Sequence, residues 1–458
     1  MDQHRTIIEP FKIRTVEPLT VMTRKEREPL LAEAGYNLFM LPAKYVTFDF
    51  LTDSGTTAMS SAQMAAMMVS DESYAGSRSF ARFEAVVRSL TGHTFVIPTH
   101  QGRAAERILC AALVKPGMKI PSNNHFDTTR ANIEYVGAEA VDLVVPEGRA
   151  PSSTFPFKGN IDLERLRVFL QENRGTVPFG MITLTNNTGG GQPASLQNIR
   201  EVSKLYKEFG VPFIIDACRF AENAYLIKQR EPQCHDRTAR DIAMEIFSLA
   251  DGCYMSGKKD ALVNIGGFIA LHDKTWVEQL RSLLILTEGF PTYGGLAARD
   301  LEAMAVGLEE VLDEKYLSYR ISVTRYMAEG LNRLGVPTLQ PPGGHAVYID
   351  AKAFLPHIPP HEFPGQSLVC ELYLAEGVRS CEIGSSMFGK RTAQGDFIPA
   401  SMELVRLAFP RRVYTQSHFD YILEGISEVV SRKESLRGLK LEYDPPFLRH
   451  FTARFSLL

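Results

Sequence analysis

Short apolar segments alternate with helical patterns between about residue 56 and residue 310, and this alternation constrains the fold more than any other feature. Apolar runs at residues 95–98, 140–145, 180–185 and 211–216 are separated by helical patterns that include residues 102–114 and 195–209. Such alternation is typical of a mostly parallel sheet with helices on both faces. Ser195 and Gly210 stand where the cap residues of the second helix are expected. We therefore predict an α/β fold.

The length of the chain, 458 residues, exceeds what one hydrophobic core usually supports. After about residue 312 the pattern changes to longer helices and amphipathic strands, which predict a smaller α+β domain. We expect an N-terminal arm at residues 1–20 and a large domain at residues 56–311. Residues 21–55 are expected to join residues 312–458 in the small domain.

Charge and composition argue against several classes of function. The net charge is −3 and the basic residues are spread along the chain, which argues against nucleic-acid binding. No apolar run approaches the roughly twenty residues that a membrane span needs, and charges are mixed through the first twenty residues, so we expect a cytoplasmic protein. The six cysteines are widely spaced without a CxxC pair, which favours small buried side chains over disulfides or zinc.

Two adjacent lysines, Lys258 and Lys259, stand at a predicted strand end, where a lysine can form a Schiff base with a carbonyl cofactor. Upstream, Asp216 ends a second apolar run, and a buried carboxylate is costly unless it meets a cation. The protonated pyridine nitrogen of pyridoxal phosphate is such a cation. Taken alone, an aspartate there is more often a helix cap or a metal ligand. Together the residues predict a pyridoxal phosphate site, without choosing between the lysines.

Three further segments have a functional and an ordinary interpretation. Residues 99–103 place backbone amides and Arg103 at a helix N-terminus, which is either a phosphate seat with help from Ser256 or a plain strand-to-helix turn. The glycines of residues 186–192 would let the backbone approach a flat ligand, or they form a flexible turn. They are not a GxGxxG motif, which argues against nicotinamide binding. Phe126 would stack on a pyridine ring or belong to the core.

These segments together resemble the β-eliminating lyases of aromatic amino acids, the family that contains the tryptophan indole-lyases and the tyrosine phenol-lyases. The resemblance runs nearly end to end and is carried by residues 51–56, 71–76, 98–103, 216–219, 256–260, 288–295 and 410–415. It implies the aspartate-aminotransferase-like fold (fold type I). It also implies a homotetramer whose active sites form between paired subunits.

The family resemblance implies a role for each candidate residue of the site. Lys259 would form the Schiff base, with Lys258 beside it, and Arg406 would anchor the substrate carboxylate through a bidentate contact. The other implied cofactor contacts are Asp216 to the pyridine nitrogen, Phe126 to the ring face, Asn187 and Arg219 to the phenolic oxygen, and Gln101, Gly102, Arg103 and Ser256 to the phosphate. Thr52, Asn187, Ile383 and Arg406 would contact the substrate.

The distal pocket distinguishes the two branches of the family. The phenol-lyases carry Thr, Arg and Phe at the positions of Asp127, Ile383 and His450, and here all three resemble the indole-lyases. An apolar Ile suits a neutral indole, whereas a phenolate favours an arginine. The resemblance implies β-elimination of L-tryptophan to indole, pyruvate and ammonia. The alternative is elimination of L-tyrosine to phenol, pyruvate and ammonia.

The resemblance also implies an acid and a cation site. Tyr74, supplied by a neighbouring subunit, is a candidate acid near the leaving group or the phosphate, and Asp127 and His450 would stabilise the indole nitrogen. Glu72 with the carbonyls of Gly55 and Asn264 resembles the family's site for a monovalent cation, potassium or ammonium. Competing interpretations are an aminotransferase or decarboxylase on the same fold, and a binding protein that has lost turnover.

Overall fold

The computed structural model describes residues 6–392, 394–445 and 448–458, which form two compact units. The large unit comprises Ser54–Gly148 and Phe155–Ser318. The small unit comprises Met1–Asp53, Arg149–Thr154 and Tyr319–Leu458. The domain boundaries expected from the sequence, near residues 55 and 311, stay a prediction.

Helices and strands follow one another along the whole described chain. The strands are β1 (Phe48–Asp49), β2 (Phe95–Thr99), β3 (Lys119–Ser122), β4 (Glu139–Asp142), β5 (Gly180–Thr183), β6 (Phe213–Asp216), β7 (Gly252–Ser256), β8 (Gly267–Leu271), β9 (Ala346–Asp350), β10 (Val378–Arg379), β11 (Cys381–Ile383), β12 (Lys390–Arg391), β13 (Phe397–Ile398), β14 (Leu404–Ala408), β15 (Leu439–Tyr443) and β16 (Arg454–Leu457). The α-helices are α1 (Arg24–Glu33), α2 (Ser61–Met68), α3 (Arg78–Thr91), α4 (Gly102–Leu113), α5 (Asp127–Tyr135), α6 (Leu163–Glu172), α7 (Leu196–Glu208), α8 (Phe220–Arg230), α9 (Ala239–Ser248), α10 (Lys274–Thr287), α11 (Ala298–Glu310), α12 (Glu314–Arg333), α13 (Ala351–Phe354), α14 (Pro364–Glu376), α15 (Ser385–Phe388), α16 (Gln416–Ser431) and α17 (Arg449–Thr452).

The large unit is built on a five-stranded sheet of order β2-β8-β7-β6-β5. β5, β6 and β7 are mutually parallel, whereas β8 runs antiparallel to both β7 and β2. β5 to β8 are buried along their whole length, which explains their continuous apolar runs. The predicted mostly parallel sheet is confirmed, although β8 was not predicted. The carboxyl ends of β5, β6 and β7 meet at one edge, where ligands gather in sheets of this kind.

Helices of the large unit begin and end at residues that the sequence marks. Ser195 Oγ accepts a hydrogen bond from Asn198 N at 3.0 Å at the start of α7. Gly210, with φ of +67°, lies just after the end of the same helix. These are the caps that the sequence predicts. A core cluster that includes Ile97, Leu109 and Ile214 fills the space between the sheet and α4.

The small unit contains a three-stranded antiparallel sheet of order β11-β14-β9. The expectation of amphipathic strands was wrong for this sheet, because β14 is buried throughout and β9 is buried at four of its five residues. Apolar clusters cover both faces. One cluster contains Val347, Ile349, Val405 and Leu407, and the other contains Tyr348, Cys381, Ile383 and Leu404.

The helices of the described chain were also compared with what a lipid bilayer requires. Among the residues that the structure describes, no helix combines the length and the apolar character that crossing a bilayer demands.

Candidate active site

Two adjacent lysines follow the end of β7 in the large unit. Lys258 Nζ donates a hydrogen bond to Gln101 Oε1 at 2.9 Å. Burial, with repulsion from Lys259 and Arg103, lowers the pKa of Lys258 to about 8. The hydrogen bond therefore ties the first lysine to the residue that begins α4. Both lysines are half-buried. An amine that is partly shielded from water is therefore available at this strand end for covalent chemistry.

Asp216 ends β6, the strand beside β7, and only 4% of the residue is exposed. Its Oδ1 accepts a hydrogen bond from Cys218 N at 3.1 Å. Burial and then Asp216 raise the pKa of the Cys218 thiol, and Lys259 opposes this shift. The Asp216 carboxylate and the Lys259 amine therefore both lie near this thiol, at the carboxyl edge of the sheet.

Glu106 is a residue of the site that the sequence interpretation missed. It lies on the buried face of α4, and Thr129 Oγ1 donates to its Oε1 at 2.9 Å. Its Oε2 is buried with no hydrogen-bond partner among the described residues. Burial, with the charge of Asp216, raises the pKa of Glu106 to about 7. The available signal was an acidic residue on the apolar face of a predicted helix.

The start of α4 has the features of a phosphate-binding site. Gln101 makes no side-chain capping bond to the first turn. A Cβ on Gly102 would lie 2.5 Å from Ser256 Cβ, so only glycine permits α4 to begin this close to the end of β7. Ser256 Oγ is buried, with no hydrogen-bond partner among the described residues. Arg103 is exposed on the same turn. Helix amides, a hydroxyl donor and cationic side chains suit a phosphate.

Two loops at this edge of the large unit are bound to one another. Asn186 Nδ2 donates to Asn124 Oδ1 at 2.8 Å, and Thr188 Oγ1 donates to the carbonyl of His125 at 3.0 Å. Gly190 and Gly191 have φ of +92° and +64°, so these glycines are required by the turn itself. The interpretation of residues 186–192 as a turn therefore accounts for these two glycines. Asn187 lies in the same turn and is buried, with 4% of the residue exposed.

Phe126 and Asp127 begin α5 at the end of the second loop. Phe126 is half-buried and is the N-cap residue. Asp127 is buried, with 7% exposed, and its Oδ1 accepts from Thr128 N at 2.6 Å. The carboxylate of Asp127 thus lies in the first turn of α5.

Arg219 follows Asp216 at the same edge and is buried, with 3% exposed. Its backbone amide donates to the carbonyl of Leu184 at 2.8 Å. Asp260 Oδ2 accepts from Ala221 N at 2.9 Å at the start of α8. Asp260 thereby joins the lysine turn to the helix that follows Arg219.

The donor set of the large unit fits pyridoxal phosphate. The unpartnered buried hydroxyl of Ser256 and the helix N-terminus match its phosphate, the buried carboxylate of Asp216 matches its pyridinium nitrogen, and a half-buried lysine amine matches its aldehyde. The fit rests on these polar groups of the chain.

Arg406 lies at the centre of β14 in the small unit, with 5% exposed. Its Nη2 donates to the carbonyl of Leu51 at 3.0 Å, which places the guanidinium beside the segment that carries Thr52. Arg406 pairs in register with Cys381, and Ile383 pairs with Leu404. Because side chains alternate along a strand, Arg406 and Ile383 lie on the same face of this sheet.

His450 lies on α17 of the small unit and is buried, with 5% exposed. Asn37 Nδ2 donates to its carbonyl at 3.2 Å. The His450 ring meets the Phe39 ring edge-on at 5.6 Å between centroids. This histidine is therefore packed into the small unit and does not lie on a loose tail.

The residues of the expected cation site make hydrogen bonds within this chain. Asn264 Nδ2 donates to the carbonyls of Gly55 and Thr57, both at 3.1 Å. The Glu72 carboxylate accepts from Ala298 N at 2.9 Å at the start of α11. The described residues contain no group of three or more His, Cys, Asp or Glu side chains that could hold a metal ion.

Tyr74 lies on the surface of the large unit, with 70% exposed. Its ring packs on Phe290 and Tyr293, at centroid distances of 5.6 and 5.2 Å. The hydrogen bond to Tyr293 raises the pKa of Tyr74. The hydroxyl is thus held in a small aromatic group on the outside of this chain.

Comparison with known proteins identifies the family. The model of the β-eliminating lyase family matches residues 49–424. A tryptophanase from Salinibacter ruber is 59% identical over 448 residues, which are 98% of this chain and 95% of that protein. A tyrosine phenol-lyase from Symbiobacterium thermophilum is 46% identical over 449 residues, 98% of each protein.

A solved structure supports the fold. The serine palmitoyltransferase of Sphingomonas wittichii superposes with a TM-score of 0.58 at 14% identity, over 90% of this chain and 97% of that chain. At this identity the likeness concerns the fold alone, and it confirms the predicted aspartate-aminotransferase-like α/β fold. With the family model matching most of its length and relatives at 46% to 59% identity, the chain belongs to the β-eliminating lyase family.

Proposed function

We propose that this chain is a tryptophan indole-lyase that converts L-tryptophan to indole, pyruvate and ammonia with pyridoxal phosphate. The observation that carries the proposal is the 59% identity to a tryptophanase over almost the whole chain, against 46% to a tyrosine phenol-lyase. Asp127, Ile383 and His450 agree with it, since they suit a neutral indole. Tyrosine phenol-lyase activity is the alternative.

The cofactor would be held by polar groups of the large unit. Lys259 provides the amine that binds the aldehyde, and Asp216 pairs with the pyridine nitrogen. Further contacts come from Phe126 to the ring, from Asn187 and Arg219 to the phenolic oxygen, and from Gln101, Gly102, Arg103 and Ser256 to the phosphate. When bound, pyridoxal phosphate accepts the electron pair left at the substrate α-carbon. The buried carboxylate of Asp216 supports this role.

Substrate binding and proton removal are assigned to three residues. Arg406 binds the substrate carboxylate, because a planar guanidinium matches two carboxylate oxygens. Thr52 lies in the segment that Arg406 contacts through Leu51 and adds a polar group. The Lys259 amine, in its free form, would remove the α-proton.

Release of indole requires protonation of the ring before the bond breaks, since indole is a poor leaving group as a carbanion. Tyr74 of a neighbouring subunit is the proposed acid. Asp127 and His450 stabilise the positive charge that develops on the indole nitrogen, and the apolar side chain of Ile383 packs against the ring. The burial of Asp127, Ile383 and His450 supports these roles.

Assembly, cation and location complete the proposal. We propose a homotetramer with active sites shared between paired subunits. Potassium would bind the carbonyls of Gly55 and Asn264 together with Glu72, and activity should fall in sodium-only buffer and return with potassium. The six cysteines are buried free thiols, the state that a reducing cytoplasm maintains.

A parallel assay tests the function. L-Tryptophan, L-tyrosine and S-methyl-L-cysteine are each supplied to the holoenzyme, and indole, phenol and pyruvate are measured. We expect indole and pyruvate from tryptophan in equal amounts, without any keto-acid acceptor. Phenol release from tyrosine at a higher kcat/KM would establish the alternative.

Substitution of the distal residues tests their roles. Asp127→Thr and His450→Phe should each lower kcat/KM for tryptophan by about a hundredfold or more, the range of one acid–base contribution. The kcat/KM for S-methyl-L-cysteine should change little, because its thiolate leaves without a protonated ring. Unchanged tryptophan turnover in both variants would contradict the assignment.

A further inference from the structure

Two buried glutamates of the small unit face one another. Glu382, on β11, has 3% exposed, and Glu403, next to β14, has 2% exposed. A Cβ on Gly384 would lie 2.6 Å from Glu382 Oε1 and 2.5 Å from Glu403 Oε2. The two carboxyl groups therefore meet across the α-carbon of Gly384. Neither carboxyl group has a role in the reaction as proposed.

The pair holds the first turn of α15, directly after Ile383. Glu382 accepts hydrogen bonds from Ser386 N at 3.0 Å and Met387 N at 3.1 Å. Glu403 accepts from Ser385 N at 3.0 Å and also binds Ser385 Oγ. These bonds of the two carboxyl groups all go to this turn, so their protonation state bears on the position of residues 384–388.

The same turn is hydrogen-bonded to α17, the helix that carries His450. Arg449 Nη1 donates to the carbonyls of Ser385 at 3.4 Å and Gly389 at 3.0 Å. Residues 384–388 thus follow Ile383 directly in the chain. They are also hydrogen-bonded to Arg449, the residue before His450. Ile383 and His450 are two of the three residues that distinguish the branches of the family.

A small cavity of about 10 Å³ also lies between Glu382 and His450. This is about the space of one water molecule. Ser380 Oγ lines the cavity and is buried without a hydrogen-bond partner among the described residues. Asn37 also lines it. Glu382 and His450 both line this cavity.

Burial, together with the charge that each carboxyl group meets, favours a proton on the pair at neutral pH. Burial, with the charge of Glu403, raises the pKa of Glu382 to about 8. Burial also raises the pKa of Glu403, while Lys352 on α13 lowers it and Asp350 of β9 raises it. Gln366 of α14 faces the cavity and is uncharged. Arg449, bound to the carbonyl of Ser385, and His450, which lines the cavity, are further titratable or charged groups beside the pair.

We propose that Glu382 and Glu403 are positioning residues of the leaving-group pocket, which carry one proton at neutral pH and thereby hold residues 384–388, Ile383 and His450 in place. Loss of this proton at alkaline pH leaves two negative charges facing each other across Gly384. Their repulsion displaces the turn and with it the contacts to the ring of the leaving group. The inference rests on the proposed function, because it assigns the pocket to indole.

The test is the pH dependence of the tryptophan preference, defined as kcat/KM for L-tryptophan divided by kcat/KM for S-methyl-L-cysteine. The ratio cancels effects on the cofactor, Lys259 and Arg406, which both substrates use. In the wild-type holoenzyme we expect it to fall by about tenfold between about pH 7 and about pH 9.5, which corresponds to roughly 1.4 kcal/mol of activation free energy. The midpoint should lie near pH 8.

Glu403→Gln is the informative variant. Its carboxamide oxygen can accept from Ser385 N and its amide group can donate to Ser385 Oγ, so the turn keeps its bonds. Only Glu382 can then ionise, and the pair never carries two charges. We expect this variant to keep the neutral-pH tryptophan preference up to about pH 9.5, within about twofold. Glu376→Gln is the matched control, a half-buried carboxyl group on α14 beside Tyr421, and should behave like the wild type.

The outcomes are distinguishable. A wild-type tryptophan preference that does not change with pH, or a Glu403→Gln preference that falls as the wild type does, would overturn the inference while indole release upheld the proposed function. The wild-type measurement needs no variant and applies even if Glu403→Gln folds poorly. Absence of indole at every pH would refute the proposed function, and this inference with it.

Discussion

Glu106 and Asp216 are two carboxyl groups buried together in the large unit, one on α4 and the other at the end of β6. Two negative charges in one apolar region are unfavourable, and the cost appears in Glu106, whose pKa rises to about 7. A proton on Glu106 removes one of these two negative charges. Glu106 therefore lowers the cost of burying the Asp216 carboxylate, the group proposed to pair with the pyridinium nitrogen.

Glu106→Gln should change the pH dependence of stability. Between the ordinary value of 4.5 and about 7, the folded protein holds more protons at Glu106 than the unfolded chain does, so its free energy of unfolding falls as pH rises through this window. The variant cannot ionise and should lack this decline, which amounts to roughly 3 kcal/mol. Urea unfolding of the cofactor-free protein at about pH 5 and about pH 8 measures it. An equal difference between variant and wild type at both pH values would contradict the account.

Single residues differ in how well the sequence predicts them. Lys258, Lys259 and Asp216 could be predicted because each ends an apolar run, and such positions meet at one edge of a parallel sheet. Glu106 was missed although it lies on the apolar face of a predicted helix, because its proximity to Asp216 depends on where α4 packs. Glu382 and Glu403 are far apart in the chain, and only the pairing of β11 with β14 brings them together.

A buried ion pair supports the element that carries Arg406. Arg411, just after β14, is fully buried, and its Nη1 binds Asp53 Oδ2 at 2.9 Å. Asp53 ends the segment whose Leu51 carbonyl accepts from Arg406. Both charges are desolvated, and Asp53 Oδ2 also lies 3.9 Å from Arg320 Nη2, so the loss of Arg411 leaves the buried carboxylate with a longer and weaker pairing. The ion pair therefore holds residues 51–53 against the chain that follows β14.

Arg411→Met should lower the free energy of unfolding by about 3–5 kcal/mol, the cost of breaking a buried ion pair. The control is Lys440→Met, which breaks an exposed pair with Glu442 and should cost less than about 1 kcal/mol. Urea unfolding of the holoenzyme measures both. Equal decreases in the free energy of unfolding for the two substitutions would show that burial of the Arg411 pair does not add to its effect on stability.

At the scale of elements, the sequence predicted where helices and strands lie better than how strands are buried. The caps of α7 were predicted from Ser195 and Gly210, because these residue types have local reasons to stand there. β8 was missed, since its glycine-rich start resembles a turn. β14 was expected to be amphipathic, yet the structure buries all five of its residues, including Arg406.

At the scale of the whole molecule, the exposed Tyr74 is informative. The proposed acid lies on the outside of this chain, with 70% exposed, and in the proposed tetramer it serves a neighbouring site. Lys259 serves the site of its own chain. Each complete site then needs residues from two subunits, which a mixture of two inactive variants can test.

Co-expression of Tyr74→Phe with Lys259→Ala should restore activity that neither variant has alone. In a random mixture half of the paired subunits are heterodimers, and each of these has one complete site, so about a quarter of wild-type activity is expected. Indole release by the purified mixture measures it, with each single variant as the control. No recovery from a confirmed mixed assembly would show that Tyr74 acts within its own chain.

The general architecture could be predicted because alternating apolar runs and helices leave few ways to build a layered sheet. The division into units was less accessible to the sequence. Arg149–Thr154 belongs to the small unit, although it lies inside a long stretch of the large one. Its contact, from Gln340 N to the carbonyl of Pro151 at 2.8 Å, joins residues that no local pattern connects.

The proposed function requires that pyridoxal phosphate bind covalently to Lys259. Borohydride reduction of the holoenzyme, followed by mass spectrometry of its peptides, tests it most directly. We predict that the visible absorption band disappears and that a pyridoxyl group is found on Lys259 alone, while Lys259→Arg stays unlabelled. A label on Lys258, or a protein that remains colourless after incubation with the cofactor, would contradict the account.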